Sequence, residues 1–152
     1  MIIGVISDTH GILKEPALAA LKGAGHIIHA GDVGSPEVIA ALKTLAPVTT
    51  VRGNTDRDDW GKSLPFDQLL TLEDHTFYIL HDLNDLDLSP AAAGIQVVIS
   101  GHTHQPVIQH DGGVMFMNPG SASQRRRGGP LSIGRIRITA QGLRPEIIHL
   151  SS

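Results

Sequence analysis

The residues best suited to chemistry are two histidines that follow a predicted strand. Residues 95 to 99 form a largely apolar, β-branched run bounded by glycines, and Ser-Gly-His-Thr-His comes next. Because residues two apart on an extended backbone point the same way, His102 and His104 can present imidazole nitrogens to one pocket. The alternative for so short a pattern is a pair of surface loop histidines. The pattern therefore indicates a metal site only if other polar side chains join it.

Four further strand-like runs also end in residues that can bind a metal. They are Asp8 and His10 after the first run, Asp32 after the second, Asn54 after the third and His81 after a later one. Since the carboxyl ends of parallel strands meet at one edge of a sheet, we expect all seven side chains to face one rim. Seven oxygen and nitrogen donors are too many for one tetrahedral ion and suit two divalent ions that share a carboxylate.

The charge of such a site predicts its ligand. Two divalent ions with the carboxylates of Asp8 and Asp32 and neutral histidines leave a charge of about +2. A pair of ions can also clamp the attacking and leaving oxygens of a displacement at phosphorus. We therefore expect the site to bind a phosphate ester.

The elements that position these residues alternate between strand and helix in the first third of the chain. We predict strands at Ile2–Ser7, His26–Ala30 and Val48–Val51, with helices at Glu15–Lys22 and Pro36–Leu45 between them. This order favours parallel strands joined by right-handed crossovers.

The rest of the chain is predicted as hairpins. They pair residues 66–72 with 76–80, 106–109 with 114–117, and 132–139 with 143–150, and an irregular segment covers 58–65. One turn of helix is expected at residues 90–93. With 152 residues and no linker, we expect one domain spanning residues 1–152.

Composition narrows the class of protein. The chain has no cysteine, which excludes disulfides and thiolate ligands and agrees with a cytoplasmic protein. It has no apolar run near 18 residues, so we expect no membrane span. A net charge of -3 and few aromatic residues argue against nucleic-acid partners other than a small nucleotide diester.

The ordered motifs D-x-H, G-D, G-N, H and G-H-x-H resemble those of the calcineurin-like metallophosphoesterases. Within that superfamily the chain resembles the small bacterial and archaeal phosphodiesterases related to the eukaryotic retromer subunit of the same fold. Gly53-Asn54-Thr55-Asp56 and Asn118-Pro119-Gly120-Ser121 also match this subgroup. The resemblance implies an α/β fold, a four-layer α/β/β/α sandwich of two mixed sheets flanked by helices.

The resemblance also implies two sets of metal ligands. One ion would be held by Asp8, His10, Asp32 and His104, and the other by Asp32, Asn54, His81 and His102. Asp32 would bridge the ions, and a water or hydroxide between them would be the nucleophile. We assign catalytic roles to Asp32, Asn54 and His10, and we expect manganese, with iron, zinc and nickel as alternatives.

The implied activity is hydrolysis of a small phosphodiester. The alternatives are a phosphomonoesterase and a non-catalytic, metal-binding scaffold protein of the same fold. Two positions depart from the family pattern: Thr55 stands where larger members have a histidine, and Asp82 stands where a glycine is common. The resemblance implies that the first removes a side chain that stabilises the transferring phosphoryl group or protonates the leaving oxygen, and that the second adds negative charge beside the site.

Four more features are interpreted from their positions. Arg52, Asn54 and Thr55 are predicted to bind substrate, although Arg52 could equally pair with an acid. Asp56 is predicted to orient a ligating histidine, with a turn cap as the alternative. Arg125, Arg126 and Arg127 form a solvated loop or reach a distal phosphate. The five remaining histidines are taken as structural or surface residues, and a homo-oligomer is compatible with the sequence.

Overall fold

The structure, a computed structural model, describes residues 1–125 and 129–150 and contains two five-stranded sheets within that part of the chain. In chain order the elements are β1 (Ile2–Ile6), α1 (Glu15–Leu21), β2 (His26–His29), α2 (Pro36–Lys43), β3 (Val48–Thr50), α3 (Asp59–Lys62), β4 (Asp67–Leu72), β5 (His75–Leu80), a 3-10 turn (Leu83–Asp85), β6 (Val97–Ile99), β7 (Val107–Asp111), β8 (Val114–Asn118), β9 (Leu131–Thr139) and β10 (Gly142–Leu150).

The first sheet has the strand order β10-β9-β1-β2-β3. As predicted, β1, β2 and β3 run parallel, with Val5 opposite Ile28 and Ile28 opposite Thr49. The terminal hairpin of β9 and β10 adds to β1 in antiparallel orientation. The sheet is therefore mixed, and its three parallel strands deliver Asp8, Asp32 and Asn54 to the same end.

The second sheet has the order β4-β5-β6-β8-β7. Its central strands β5, β6 and β8 are parallel, and the two predicted hairpins place β4 and β7 antiparallel at the edges. Because β5 and β6 lie here, His81, His102 and His104 come from this sheet. The expectation of a single sheet edge is thus wrong: the rim combines strand ends of two sheets.

Three apolar clusters hold the layers together. Between the sheets lies a core that includes Ile3, Val5, Phe77 and Ile99, all fully buried. Alternate residues of β1 and β2 face the other way and pack with the buried residues of α1 and α2. A smaller cluster around Tyr78 and Leu80 lies on the outer face of the second sheet. Leu86, at the end of the 3-10 turn, packs against it. The predicted sandwich fold is confirmed.

The predicted helices differ from the observed ones in detail. In α1 the buried residues are Ala17 and Leu21, and α2 buries Val38, Ile39 and Leu42 and ends at Lys43, two residues before the predicted end at Leu45. The segment predicted as irregular contains α3, which begins where the Asp58 carboxylate accepts the Gly61 main-chain N–H at 2.8 Å. A side-chain cap of this kind stabilises even a single turn of helix.

Candidate metal centre

The predicted ligands lie on unusual backbone. Among the described residues, seven non-glycine residues have a positive φ, and five of these are Asp8, His10, Asp32, His102 and His104. Left-handed conformations are uncommon for residues with a side chain and persist only where the surrounding structure holds them. The side chains at positions i and i+2 do converge, but through left-handed turns and not through the predicted extended backbone.

One group of donors surrounds Asp8. The Oδ1 atom of Asp8 lies 3.2 Å from Nε2 of His104 and 3.8 Å from Nε2 of His10. The two imidazoles approach each other to 3.4 Å between their Nε2 atoms. These three side chains have the spacing of ligands around a single cation.

A second group of donors lies beside the first. His81 Nε2 is 3.3 Å from Asp32 Oδ2 and 3.0 Å from Asn54 Oδ1, and His102 Nδ1 is also 3.0 Å from that amide oxygen. Asp32 Oδ2 lies 3.9 Å from His10 Nε2, so it faces a histidine of each group. The structure thus brings all seven predicted residues together, with the two aspartates at the boundary between the groups.

The Asp8 carboxylate provides a test of whether these residues suit a cation. Its Oδ2 atom accepts the Ser7 hydroxyl at 2.6 Å and the His102 main-chain N–H at 3.0 Å. Its Oδ1 atom is buried and has no hydrogen-bond partner among the described residues. Since an unpaired buried charge costs considerable free energy, this oxygen between imidazole nitrogens fits a ligand atom for a metal ion.

Hydrogen bonds set the protonation of the second group. Burial alone would raise the pKa of Asp32, but hydrogen bonds from His81 and from the Thr55 main-chain N–H outweigh it and hold the pKa below its usual value. Burial alone would lower the pKa of His81, but Asp32 and Asp8 raise it instead. The carbonyl of Ala30 lies 2.7 Å from His81 Nδ1 and fixes the proton there, which leaves Nε2 directed at the site.

The Asn-Pro-Gly-Ser turn holds ligand loops from both sheets. The Asn118 amide donates to the carbonyl of Gly101 at 2.8 Å and to the Thr103 hydroxyl at 3.0 Å, which fixes the loop carrying His102 and His104. The hydroxyls of Ser121 and Ser123 donate to the carbonyl of Asp8 at 2.9 and 3.1 Å. The turn was singled out as a motif, but its supporting role was not predicted.

Asp56 has different partners from those predicted. Its buried carboxylate accepts main-chain N–H groups from Gly53 at 2.9 Å, Gly34 at 3.1 Å and Val33 at 3.2 Å. The interpretation as a partner of His10 or another ligating histidine is therefore replaced. Asp56 joins the loop that follows Asp32 to the loop that carries Asn54. Its carboxylate accepts main-chain N–H groups of both loops that would otherwise be buried without a partner.

His29 supports the site and was not identified from the sequence. It is fully buried, accepts the Gly31 N–H at Nδ1, and contacts the Thr9 hydroxyl through Nε2 at 3.0 Å. The Thr9 hydroxyl in turn donates to the carbonyl of Val33. This chain of hydrogen bonds requires a neutral imidazole, and burial lowers the pKa of His29 to about 4. Only its place on β2, two residues before Gly31, could have suggested this role.

The residues predicted to meet substrate occupy different surroundings. Arg52 lines a cavity beside Asn54 and His81, whereas Thr55 is exposed and contacts Asp32 through its main-chain N–H. The Asp82 carboxylate lies 3.8 Å from His102 Nε2 and accepts the Asn84 N–H at 3.0 Å. Arg125 donates to the carbonyl of Gly129 within its own loop, and Arg126 and Arg127 lie outside the described residues.

Comparison with known proteins defines the class of this chain. Residues 1–141 match the calcineurin-like phosphoesterase superfamily domain. The chain is 38% identical over 161 positions to a probable metallophosphoesterase of Methanothermobacter thermautotrophicus, covering 98% of this chain and 92% of that protein. It is 31% identical over 155 positions to the phosphodiesterase YfcE of Escherichia coli K12, covering 86% and 84% of the two chains.

A solved structure supports the same class. An archaeal phosphodiesterase superposes with a TM-score of 0.80 at 26% identity, over 97% of this chain and all of that one. The chain therefore belongs to the calcineurin-like phosphoesterase superfamily. The predicted class, a metal-dependent hydrolase of phosphoester bonds, is confirmed.

Within the described part of the chain, no helix combines the length and the apolar character needed to cross a membrane.

Proposed function

We propose that the chain is a phosphodiesterase that uses two divalent ions. The observation that carries the proposal is the arrangement of Asp32 between the two donor groups. Its Oδ2 atom lies 3.9 Å from Nε2 of His10 and 3.3 Å from Nε2 of His81, one histidine from each predicted ligand set. This position supports a shared carboxylate and therefore a pair of ions.

The residues that would hold the ions are those of the two predicted sets. Asp8, His10, Asp32 and His104 would bind one, and Asp32, Asn54, His81 and His102 the other. When bound, the ions would activate a water molecule for in-line attack and neutralise the phosphoryl oxygens. Because the donors are carboxylate, imidazole and amide groups without sulfur, we propose manganese, and iron, zinc and nickel suit the same donors.

The protein must also present its ligands in the deprotonated form. To bind a cation, His81 must present an unprotonated Nε2, so any proton on that atom, 3.3 Å from Asp32 Oδ2, has to leave first. The Thr55 N–H on Asp32 Oδ1 and the Ala30 carbonyl on His81 Nδ1 then keep both side chains in place. Metal affinity should consequently increase as pH rises.

The absence of histidine at position 55 predicts the kind of leaving group. The four described histidines that reach the carboxylates are all predicted ligands, so none of them is left to protonate the leaving oxygen. General acid catalysis typically contributes about 10²–10⁴-fold to a rate. We therefore expect esters with acidic alcohols, such as aryl diesters, to react fastest. That YfcE and the archaeal structure are named phosphodiesterases supports diesters over monoesters.

The test compares two esters with the same leaving group. Protein stripped with a chelator and reloaded with manganese is given bis(4-nitrophenyl) phosphate and 4-nitrophenyl phosphate. We expect metal-dependent turnover of the diester, reduced by about 100-fold or more in Asn54→Ala because an ion loses a ligand. Asn84→Ala is the matched control, since Asn84 is exposed in the 3-10 turn.

The outcomes separate the alternatives. Faster turnover of the monoester would favour a phosphomonoesterase. Two bound ions per chain with no turnover of either ester would favour a non-catalytic scaffold. One ion per chain in an active enzyme would contradict the binuclear proposal.

A further inference from the structure

A cavity of about 300 Å³ opens beside the second donor group. Asn54 and His81 form the part of its wall that faces the candidate metal centre. Behind them the wall contains three basic side chains and an aromatic ring, from Arg52, Arg57, Lys62 and Phe66. We call this space the basic cavity. Its position is suited to a substrate group next to the reacting phosphate.

Two of the three cations have no partner within the described part of the chain. Neither Arg52 nor Lys62 forms an ion pair or a side-chain hydrogen bond there. The ion pair that an arginine or lysine does form among the described residues, Arg135 with Glu146, lies elsewhere. Arg57 is held in place by its Nε donating to the carbonyl of Asn54 at 3.0 Å. Cations that form no ion pair at a concave surface favour an anionic ligand.

The same wall contains three acidic residues, as many as its cations, and two of them are held by other partners. The Asp56 carboxylate accepts three main-chain N–H groups, and Asp82 accepts the Asn84 N–H and faces His102. Asp85 is the remaining acid of the wall. Among the described residues, none of these three carboxylates forms an ion pair with Arg52, Arg57 or Lys62, so the cations remain available to a ligand.

An aromatic ring gives the cavity an apolar side. Phe66 is 48% exposed, although a ring of this size usually packs into a core. It follows Pro65, whose carbonyl accepts the Arg52 N–H at 2.8 Å, so the ring and the first cation stay close together. The cavity combines features that suit an organic group with its own phosphate.

We propose that the basic cavity binds an ester arm of the substrate that carries a second phosphate. The proposal rests on the proposed function, because the arm belongs to a phosphodiester whose reacting phosphate meets Asn54 and His81. Arg52 and Lys62 contact the second phosphate, and Phe66 contacts the body of the arm. The substrate class is then a phosphodiester of a phosphorylated alcohol, such as a nucleotide.

The first measurement compares two chromogenic diesters on the manganese-loaded enzyme. They are the 4-nitrophenyl ester of thymidine 5′-phosphate and the same compound with a phosphate on its 3′-oxygen. Both release 4-nitrophenolate, so the leaving group is constant and only the arm differs. We expect the added phosphate to raise kcat/KM about tenfold, the effect of a charged contact made at the cavity.

Variants then connect this preference to the cavity. In Arg52→Gln and Lys62→Gln the ratio of the two kcat/KM values should fall towards one. Arg144→Gln is the matched control, because Arg144 is exposed on β10 at the opposite edge of the sheet from β3 and Arg52. It should keep the ratio of the unmodified chain.

A binding measurement separates the cavity from catalysis. Thymidine 3′-phosphate is titrated into chelator-treated protein, and its Kd is taken from amide chemical shifts. We expect Arg52→Gln and Lys62→Gln to weaken binding about tenfold and Arg144→Gln to have no effect. This pattern without any diester turnover would support the cavity and contradict the proposed function. Equal turnover of the two diesters with unchanged binding in all variants would overturn the cavity proposal and leave the phosphodiesterase intact.

Discussion

At the scale of single residues, the site is organised by atoms that the rest of the protein leaves available. The Oδ1 atom of Asp8 is buried without a hydrogen bond, whereas Oδ2 accepts two. Five of the predicted ligands occupy left-handed backbone, at a cost of order 1–3 kcal/mol each. These costs are retained because they direct ligand atoms to one place, which is how functional sites usually differ from well-packed regions.

His29 gives a prediction about pH. Burial lowers its pKa from 6.5 to about 4, so between these values the unfolded chain binds a proton that the folded chain excludes. Stability should therefore fall as pH decreases from 6.5 to 4, by roughly 3 kcal/mol from this residue. The measurement is the free energy of unfolding by urea in chelator between pH 4.5 and 7.5.

A matched pair of variants isolates this contribution. His29→Gln keeps a donor and an acceptor but does not titrate, so its stability should depend less on pH across that window. His110→Gln is the control, because His110 is exposed on β7. Equal pH dependence in all three proteins would show that His29 is not buried as a neutral imidazole.

At the scale of elements, the strands deliver the ligands and the loops fix them. Close contact between loops requires residues without a side chain at several places, two of which lie in the ligand motifs. A Cβ on Gly53 would overlap the Asp32 carboxylate, and a Cβ on Gly101 would overlap the Ser7 hydroxyl. The glycines of the G-N and G-H-x-H motifs are thus needed because two loops approach each other closely there, and not because the backbone has a positive φ.

Gly53→Ala should therefore damage the metal centre more than the fold. The new methyl group would displace Asp32, and we expect metal affinity to fall about 10- to 100-fold. Calorimetric titration with manganese measures this affinity. In the control Gly25→Ala the added Cβ meets the flexible end of Met1 at 3.3 Å, so affinity should be unchanged. Normal metal affinity in Gly53→Ala would mean that Asp32 is not held against this loop.

At the scale of the whole molecule, the candidate metal centre joins the two sheets. Four of the donors follow strands of the first sheet, namely Asp8, His10, Asp32 and Asn54. The other three, His81, His102 and His104, follow strands of the second sheet. The seven donors form polar contacts between the two sheets at this end of the molecule, beside the hydrogen bonds from Ser121 and Ser123 to the Asp8 carbonyl. Bound ions should consequently resist separation of the sheets.

Removal of metal should lower the melting temperature. One ion at about 100 times its Kd stabilises the folded state by about 2.7 kcal/mol, so two independent ions give about 5.4 kcal/mol, or roughly 10–20 °C for a chain of this size. Asp32→Ala from the first sheet and His81→Ala from the second should each lose most of this shift, and His110→Ala should retain it. The measurement is thermal unfolding with manganese and with chelator. If variants of one sheet alone lost the shift, the ions would not join the sheets.

The sequence by itself determined the types of donor, their positions after strands and, to within two residues, the boundaries of most elements. These features depend on local properties such as β-branched runs, turn residues and motif spacing. The tertiary structure decided that the strands divide between two sheets, that Ser121 supports Asp8 from 113 residues away, and that Asp56 joins two loops. It also placed Arg52 and Lys62 at one cavity. The reason is physical: hydrophobic periodicity shows which face of a strand is buried, but the choice of pairing partner depends on packing across the whole chain.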